Sequence, residues 1–166
     1  MYLKRLNDNA ILPAKKLGNA GFDIAIQVPE GSYELKPNEF KTFGTGYAVW
    51  LKDPRLELQI RSRSKLGTKE GIVVTQGVGT LDSTYQGELM VSLHNISNKT
   101  FVIEDGMLVA QGVVSFVAPL TSSPSEYHTV HWWATKPISY WFTEVEEFET
   151  ESERGSKGIN CGELRV

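Results

Sequence analysis

Cysteine occurs once in 166 residues, at Cys161, so no internal disulfide can form and Cys-rich zinc sites are excluded. Histidine is sparse too: His94, His128 and His131 fall in no metal-ligand spacing, and a structural role is expected for each. No apolar run reaches the roughly 18 residues that a spanning helix requires. The opening stretch MYLKRLNDNAILP contains no long apolar segment, which predicts a soluble cytoplasmic protein with no membrane partner. A surplus of cations is also missing. Seventeen Lys and Arg against 20 Asp and Glu leave a net charge of −3. That argues against a broad footprint on a phosphate backbone, so no nucleic-acid polymer is expected as partner. A small phosphorylated ligand needs only a local basic cluster. Capped helical periods are absent as well.

What remains is β-rich. Hydrophobic residues make up 40% of the chain, enough for one domain with a core. RLELQIR (55–61) alternates, with Leu56, Leu58 and Ile60 on one side and Glu57, Gln59 and Arg61 on the other. Leu89, Val91 and Leu93 alternate in the same way with Met90, Ser92 and His94. FDIAIQV, SYELK, TFGTGYAVWL, GIVV, FVIEDG and MLVAQGVVSFVAPL are further short β-prone runs, divided by Gly, Pro, Asn and Asp. The pattern predicts an all-β sandwich, jelly roll or barrel, with one short helix near 64–69. Residues 1–150 read as a single domain. EYHTVHWWATKPISYWF (126–142) is an aromatic-rich insertion carrying three of the four tryptophans, either a cover for a core edge or a surface for a protein partner. Residues 151–166 read as a flexible tail.

Several stretches could face a phosphorylated ligand. NAGFDIAI puts Asp23 at the start of a strand. RSRSKLGTKEGI supplies Arg61, Arg63 and Lys65 with Ser62 and Ser64. A continuing strand would place the three cations on one face, whereas a helix starting near Ser64 would offer free N–H groups to an anion. VAQG sets Gln111 inside an apolar strand, and RGSKG brings Arg154 and Lys157 on flexible glycines. GTLDSTYQG holds Asp82, Ser83, Thr84 and Tyr85 between two glycines. Asp at such a turn ordinarily caps its own backbone, and a Tyr there ordinarily packs on the core.

Taken in order, these stretches resemble the motifs of the trimeric dUTPase family. AGFDI is similar to the first, RSKLGTKEGI to the second, GVGTLDSTYQGELMVSLHN to the third, DGMLVAQ to the fourth and ERGSKG to the opening of the fifth. The resemblance implies a dUTPase-like jelly-roll (β-clip) fold, a homotrimer with sites shared between subunits, dUTP as substrate and Mg²⁺ held mainly by the triphosphate and water. It assigns Asp82 to activating the water that attacks the α-phosphorus. Tyr85 would pack under the deoxyribose and exclude a 2′-hydroxyl. Uracil recognition would fall near Gln76, Gly79 and Met90. Arg63, Ser64, Lys65 and Gln111 would meet the phosphates, with Asp23 in support. Arg154, Lys157, Gly158 and Ile159 would close over the substrate. Departures from the pattern are Lys65 where glycine is usual, Leu108 where a base is usual, Thr84 where an acid is usual, and Ile159 in place of an aromatic lid. Two alternatives stay open: a dCTP deaminase relative using Glu88, and a nucleotide-binding or regulatory protein with reduced turnover.

Overall fold

The computed structural model describes residues 1–117 and 142–148. Eleven strands are present among them: β1 (Tyr2–Arg5), β2 (Phe22–Ala25), β3 (Ser32–Leu35), β4 (Phe40–Trp50), β5 (Leu56–Ser62), β6 (Ile72–Val74), β7 (Val78–Asp82), β8 (Glu88–Asn95), β9 (Phe101–Glu104), β10 (Leu108–Phe116) and β11 (Thr143–Glu144). They form a five-stranded sheet ordered β11-β1-β4-β8-β6, a four-stranded sheet ordered β2-β10-β5-β7, and a β3-β9 ribbon.

The alternation read from sequence sets which faces are buried. Leu89, Val91 and Leu93 of β8 and Leu58 and Ile60 of β5 lie in one core cluster with Ile24, Tyr47, Val49 and Val109. Each such aliphatic side chain contributes about 1.5–3 kcal/mol relative to an exposed one. Ser92 departs from the pattern. It is buried, and its hydroxyl pairs with the Thr75 hydroxyl at 3.1 Å.

Strand β5 stops at Ser62, so the continuing-strand alternative for Arg61, Arg63 and Lys65 does not hold. Ser64 and Lys65 start a helical turn that widens into a π-helical turn at Leu66–Glu70. Gly71 closes it at φ 69°, its N–H donating to Leu66 O. The chain then crosses between sheets twice. It leaves β6 through a turn with Gly77 at φ 76°, runs along β5 as β7, and returns to β8 through Ser83–Gly87.

From the last residue of the insertion onward, Phe142–Phe148 straps the molecule. β11 pairs parallel to β1, Lys4 and Arg5 form 2.6 Å ion pairs with Glu147 and Glu144, and Phe142 sets its ring edge against Phe22.

Candidate active site

The sheet β2-β10-β5-β7 turns one face inward and one outward. Residues directly opposite on neighbouring strands share a face, and the faces alternate along each strand. Asp23 is opposite Gln111, Gln111 opposite Arg61, and Arg61 opposite Val78, which makes one outward row. Phe22 and Gly112 alternate with that row and point into the core.

Arg63 folds back onto the row. Its Nε lies 3.0 Å from Asp23 Oδ1, and Nη2 donates to Asp23 Oδ2 at 3.1 Å. Nη1 donates to Leu108 O at 2.7 Å. A carboxylate gripping a guanidinium with both oxygens fixes its plane as well as its position. Leu108 contributes only its carbonyl here, so this contact makes no demand on its side chain. Ser64 and Lys65 follow, both exposed at the start of the helical turn. The structure thus brings Asp23, Arg63, Ser64, Lys65 and Gln111 into one cationic, polar corner.

Asp82 ends β7, exposed, opposite Glu57. The turn after it is closed by Tyr85 N–H donating to Asp82 O at 3.0 Å. The Tyr85 hydroxyl donates to Glu88 O at 2.6 Å, so the half-buried ring is held from both ends. Gln76 is exposed in the β6–β7 turn. Thr75 N–H donates to Ser92 O just before it, and the chain runs on from there toward Met90. Gly79 faces Ile60, and a Cβ on it would come 3.3 Å from Ile60 Cβ. The carboxyl of Glu88 accepts from Gly46 N–H at 2.9 Å, which ties it into the β4–β8 junction.

Within one chain the two halves stay apart. Gln111 and Asp82 flank β5 on opposite sides at Arg61 and Glu57, four residues apart. At about 3.3 Å per residue and about 4.8 Å per strand, their Cα atoms are separated by roughly 16 Å. Arg154, Lys157, Gly158 and Ile159 lie outside the described residues, as does the insertion up to Trp141.

One feature that sequence reasoning missed lies between the halves. Arg61, counted there as a third cation, turns along its own strand instead of toward Gln111. It donates from Nε (3.0 Å) and Nη2 to Gln59 Oε1, and Gln59 Nε2 donates to Glu57 Oε1 at 2.5 Å. The alternation of 55–61 had already placed these three side chains together; what it could not show is that they bond.

A family model described as dUTPase matches residues 7–134. The chain belongs to the dUTPase family. Among relatives, the deoxyuridine 5'-triphosphate nucleotidohydrolase of Histophilus somni (strain 2336) is 48% identical over 95 residues, 57% of this chain and 62% of its own length. The chain therefore matches less than two thirds of that dUTPase's length. The Hahella chejuensis protein of the same name is 43% identical over 112 residues, covering 67% of this chain and 73% of its own. A solved structure of a Staphylococcus bacteriophage 80alpha dUTPase point variant with dUpNHpp superposes at a TM-score of 0.62. It covers 95% of this chain and 94% of the phage chain at 23% identity, and so speaks for the dUTPase fold. The all-β expectation with a short helix agrees with these findings. Among the described residues no helix is long and apolar enough to cross a membrane.

Proposed function

We propose that this dUTPase-family chain hydrolyses dUTP to dUMP and pyrophosphate. The observation that carries the reading is the Asp23-pinned guanidinium of Arg63 beside Gln111, on the same outward face as Asp82. Asp82 takes a proton from a water. The water oxygen bonds to the α-phosphorus, the bond from that phosphorus to the α–β bridging oxygen breaks, and pyrophosphate leaves with the electron pair. A base aimed at one water and fixed cations on the phosphates are what such a displacement needs.

Arg63, Ser64, Lys65 and Gln111 hold the phosphates, and Asp23 acts by fixing Arg63. Tyr85 lies under the deoxyribose, with uracil against Gln76, Gly79 and Met90. Arg154, Lys157, Gly158 and Ile159 close from the tail. Asp82 stands roughly 16 Å from Gln111 by strand spacing, which supports a complete site that takes Asp82 from one copy and the Arg63 corner from another; that the copies number three, in a homotrimer, rests on the family resemblance.

Among the described residues no three His, Cys, Asp or Glu groups cluster as metal ligands. By family resemblance Mg²⁺ would arrive on the triphosphate, where it would neutralise phosphate charge.

The test is pyrophosphate release from dUTP by the full chain. Asp82→Asn should keep the fold and lose kcat by about 10²- to 10⁴-fold, the usual worth of a general base. Near wild-type kcat in that variant would remove Asp82 from the mechanism. Ammonia release from dCTP would favour the deaminase reading, against which the bond from Gly46 N–H to Glu88 counts.

A further inference from the structure

Strand β8 begins where its ladder with β4 is broken. Gly44 is opposite Met90 and Ala48 is opposite Glu88, so Thr45, Gly46 and Tyr47 bulge against Leu89 alone. Glu88 works on both sides of that break. Its carboxyl Oε1 accepts from Gly46 N–H at 2.9 Å, and its own carbonyl accepts from the Tyr85 hydroxyl at 2.6 Å. The bulge is itself held. Leu6 N–H donates to Gly46 O and Gln27 N–H to Gly44 O, each at 2.8 Å, while Thr45 and Tyr47 are buried. Gly46 N–H, at a residue with φ 76°, is therefore a fixed donor. Gly44 leaves the room that the carboxyl occupies, since a Cβ there would run into Glu88 Oε1. Bulges beside active sites re-aim side chains, and this one aims at the residue that tethers Tyr85.

We propose that Glu88 is a positioning residue for sugar selection, its carboxylate fixing the start of β8 so that its carbonyl holds the Tyr85 ring in place. This rests on the hydrolase reading in one respect, that Tyr85 lies under the deoxyribose. Tyr85 belongs to the Ser83–Gly87 return and to no strand, so no ladder sets the position of its ring. The tether runs from Gly46 N–H to the Glu88 carboxylate, through the Glu88 backbone, to the Tyr85 hydroxyl. Rejecting a 2′-hydroxyl by contact needs a ring that does not yield, and a small displacement at such a contact is costly to discrimination. The role needs an acceptor of that length at position 88 and no charge, so an amide in its place can serve Gly46.

The ratio of kcat/KM for dUTP over UTP reads the selection, with pyrophosphate release as the assay. Glu88→Ala should lower the ratio by about 3- to 30-fold, chiefly through a rise in UTP turnover. Glu88→Gln keeps the acceptor and should stay within about 3-fold of wild type. Gly44→Ala retains Glu88 but pushes its carboxyl off Gly46, and should reproduce the loss. Thermal unfolding is recorded alongside. A merely structural role lowers the melting temperature and the active fraction, which cuts turnover of both nucleotides in proportion and leaves the ratio where it was. A folded Glu88→Ala with the wild-type ratio overturns the role, and so does a Glu88→Gln that loses as much as Glu88→Ala. Where Glu88→Ala does not fold, a folded Gly44→Ala with the wild-type ratio overturns it. If any of these occurs while wild type prefers dUTP, the hydrolase reading stands and only the role of Glu88 falls. A wild type that turns over neither nucleotide overturns both.

Discussion

At the scale of the residue, fixing a side chain matters as much as supplying it. Tyr85 is bonded through its own N–H to Asp82 O and through its hydroxyl to Glu88 O. In the proposed site, a ring tethered through its hydroxyl would leave no room for a larger sugar. Tyr85→Ala should therefore reduce the ratio of kcat/KM for dUTP over UTP by about 10- to 100-fold, the scale of discrimination by steric contact. An unchanged ratio would mean that the ring lies away from the sugar. Arg63 illustrates the same point. Sequence could name it as a cation in a motif. Only the fold supplies Asp23, forty positions earlier, and Leu108 O, forty-five positions later, to hold its plane. Glu88 shows the converse, since an acid within the third motif turns out to be bound into the sheet.

At the scale of the element, β2 and β10 are joined more closely than their side chains suggest. A Cβ on Gly112 would come 2.4 Å from the Phe22 ring, and one on Gly21 would come 2.5 Å from Gly112 O. Phe22 fills the space that Gly112 leaves and is met edge-on by Phe142 at 4.9 Å between centroids. Its neighbour Asp23 and the Gly112 neighbour Gln111 are opposite each other in the proposed phosphate corner. Gly112→Ala should cost about 1–3 kcal/mol by overpacking. It should also lower kcat/KM by moving Asp23 against Gln111. Thermal unfolding and steady-state kinetics on the same preparation check both, and an unchanged melting temperature would show that Phe22 relocates freely. Among the elements, β5 and β8 were legible because their buried residues alternate. β7 was not, since none of Val78–Asp82 is buried, and β1 offers only Leu3 as an inward anchor.

At the scale of the whole molecule, the separation of Asp82 from the Arg63 corner is the feature with the largest consequence. Light scattering should give about three times the 18.5 kDa chain mass, and dUTP turnover should fall on dilution as the assembly dissociates. A monomer with undiminished turnover would rule out sites shared between copies. The strap bears on the same question. By pairing β11 with β1 and locking Lys4 to Glu147 and Arg5 to Glu144, it fixes where the chain leaves the β domain on its way to Arg154.

The sequence by itself determined the β class, the buried faces of the long strands, the short helix after Arg63 and the order of the motifs. All of these follow from local period, turn chemistry and residue type, which are properties of neighbours in the chain. Tertiary structure alone decided what those neighbours meet. It set Asp23 on Arg63, tied Glu88 to Gly46, and bonded Arg61 to Gln59 instead of leaving it beside Gln111. It also put β5 between Asp82 and the phosphate corner. Strand order and register are long-range choices, governed by which faces bury together across the core, and no local pattern in the chain encodes them.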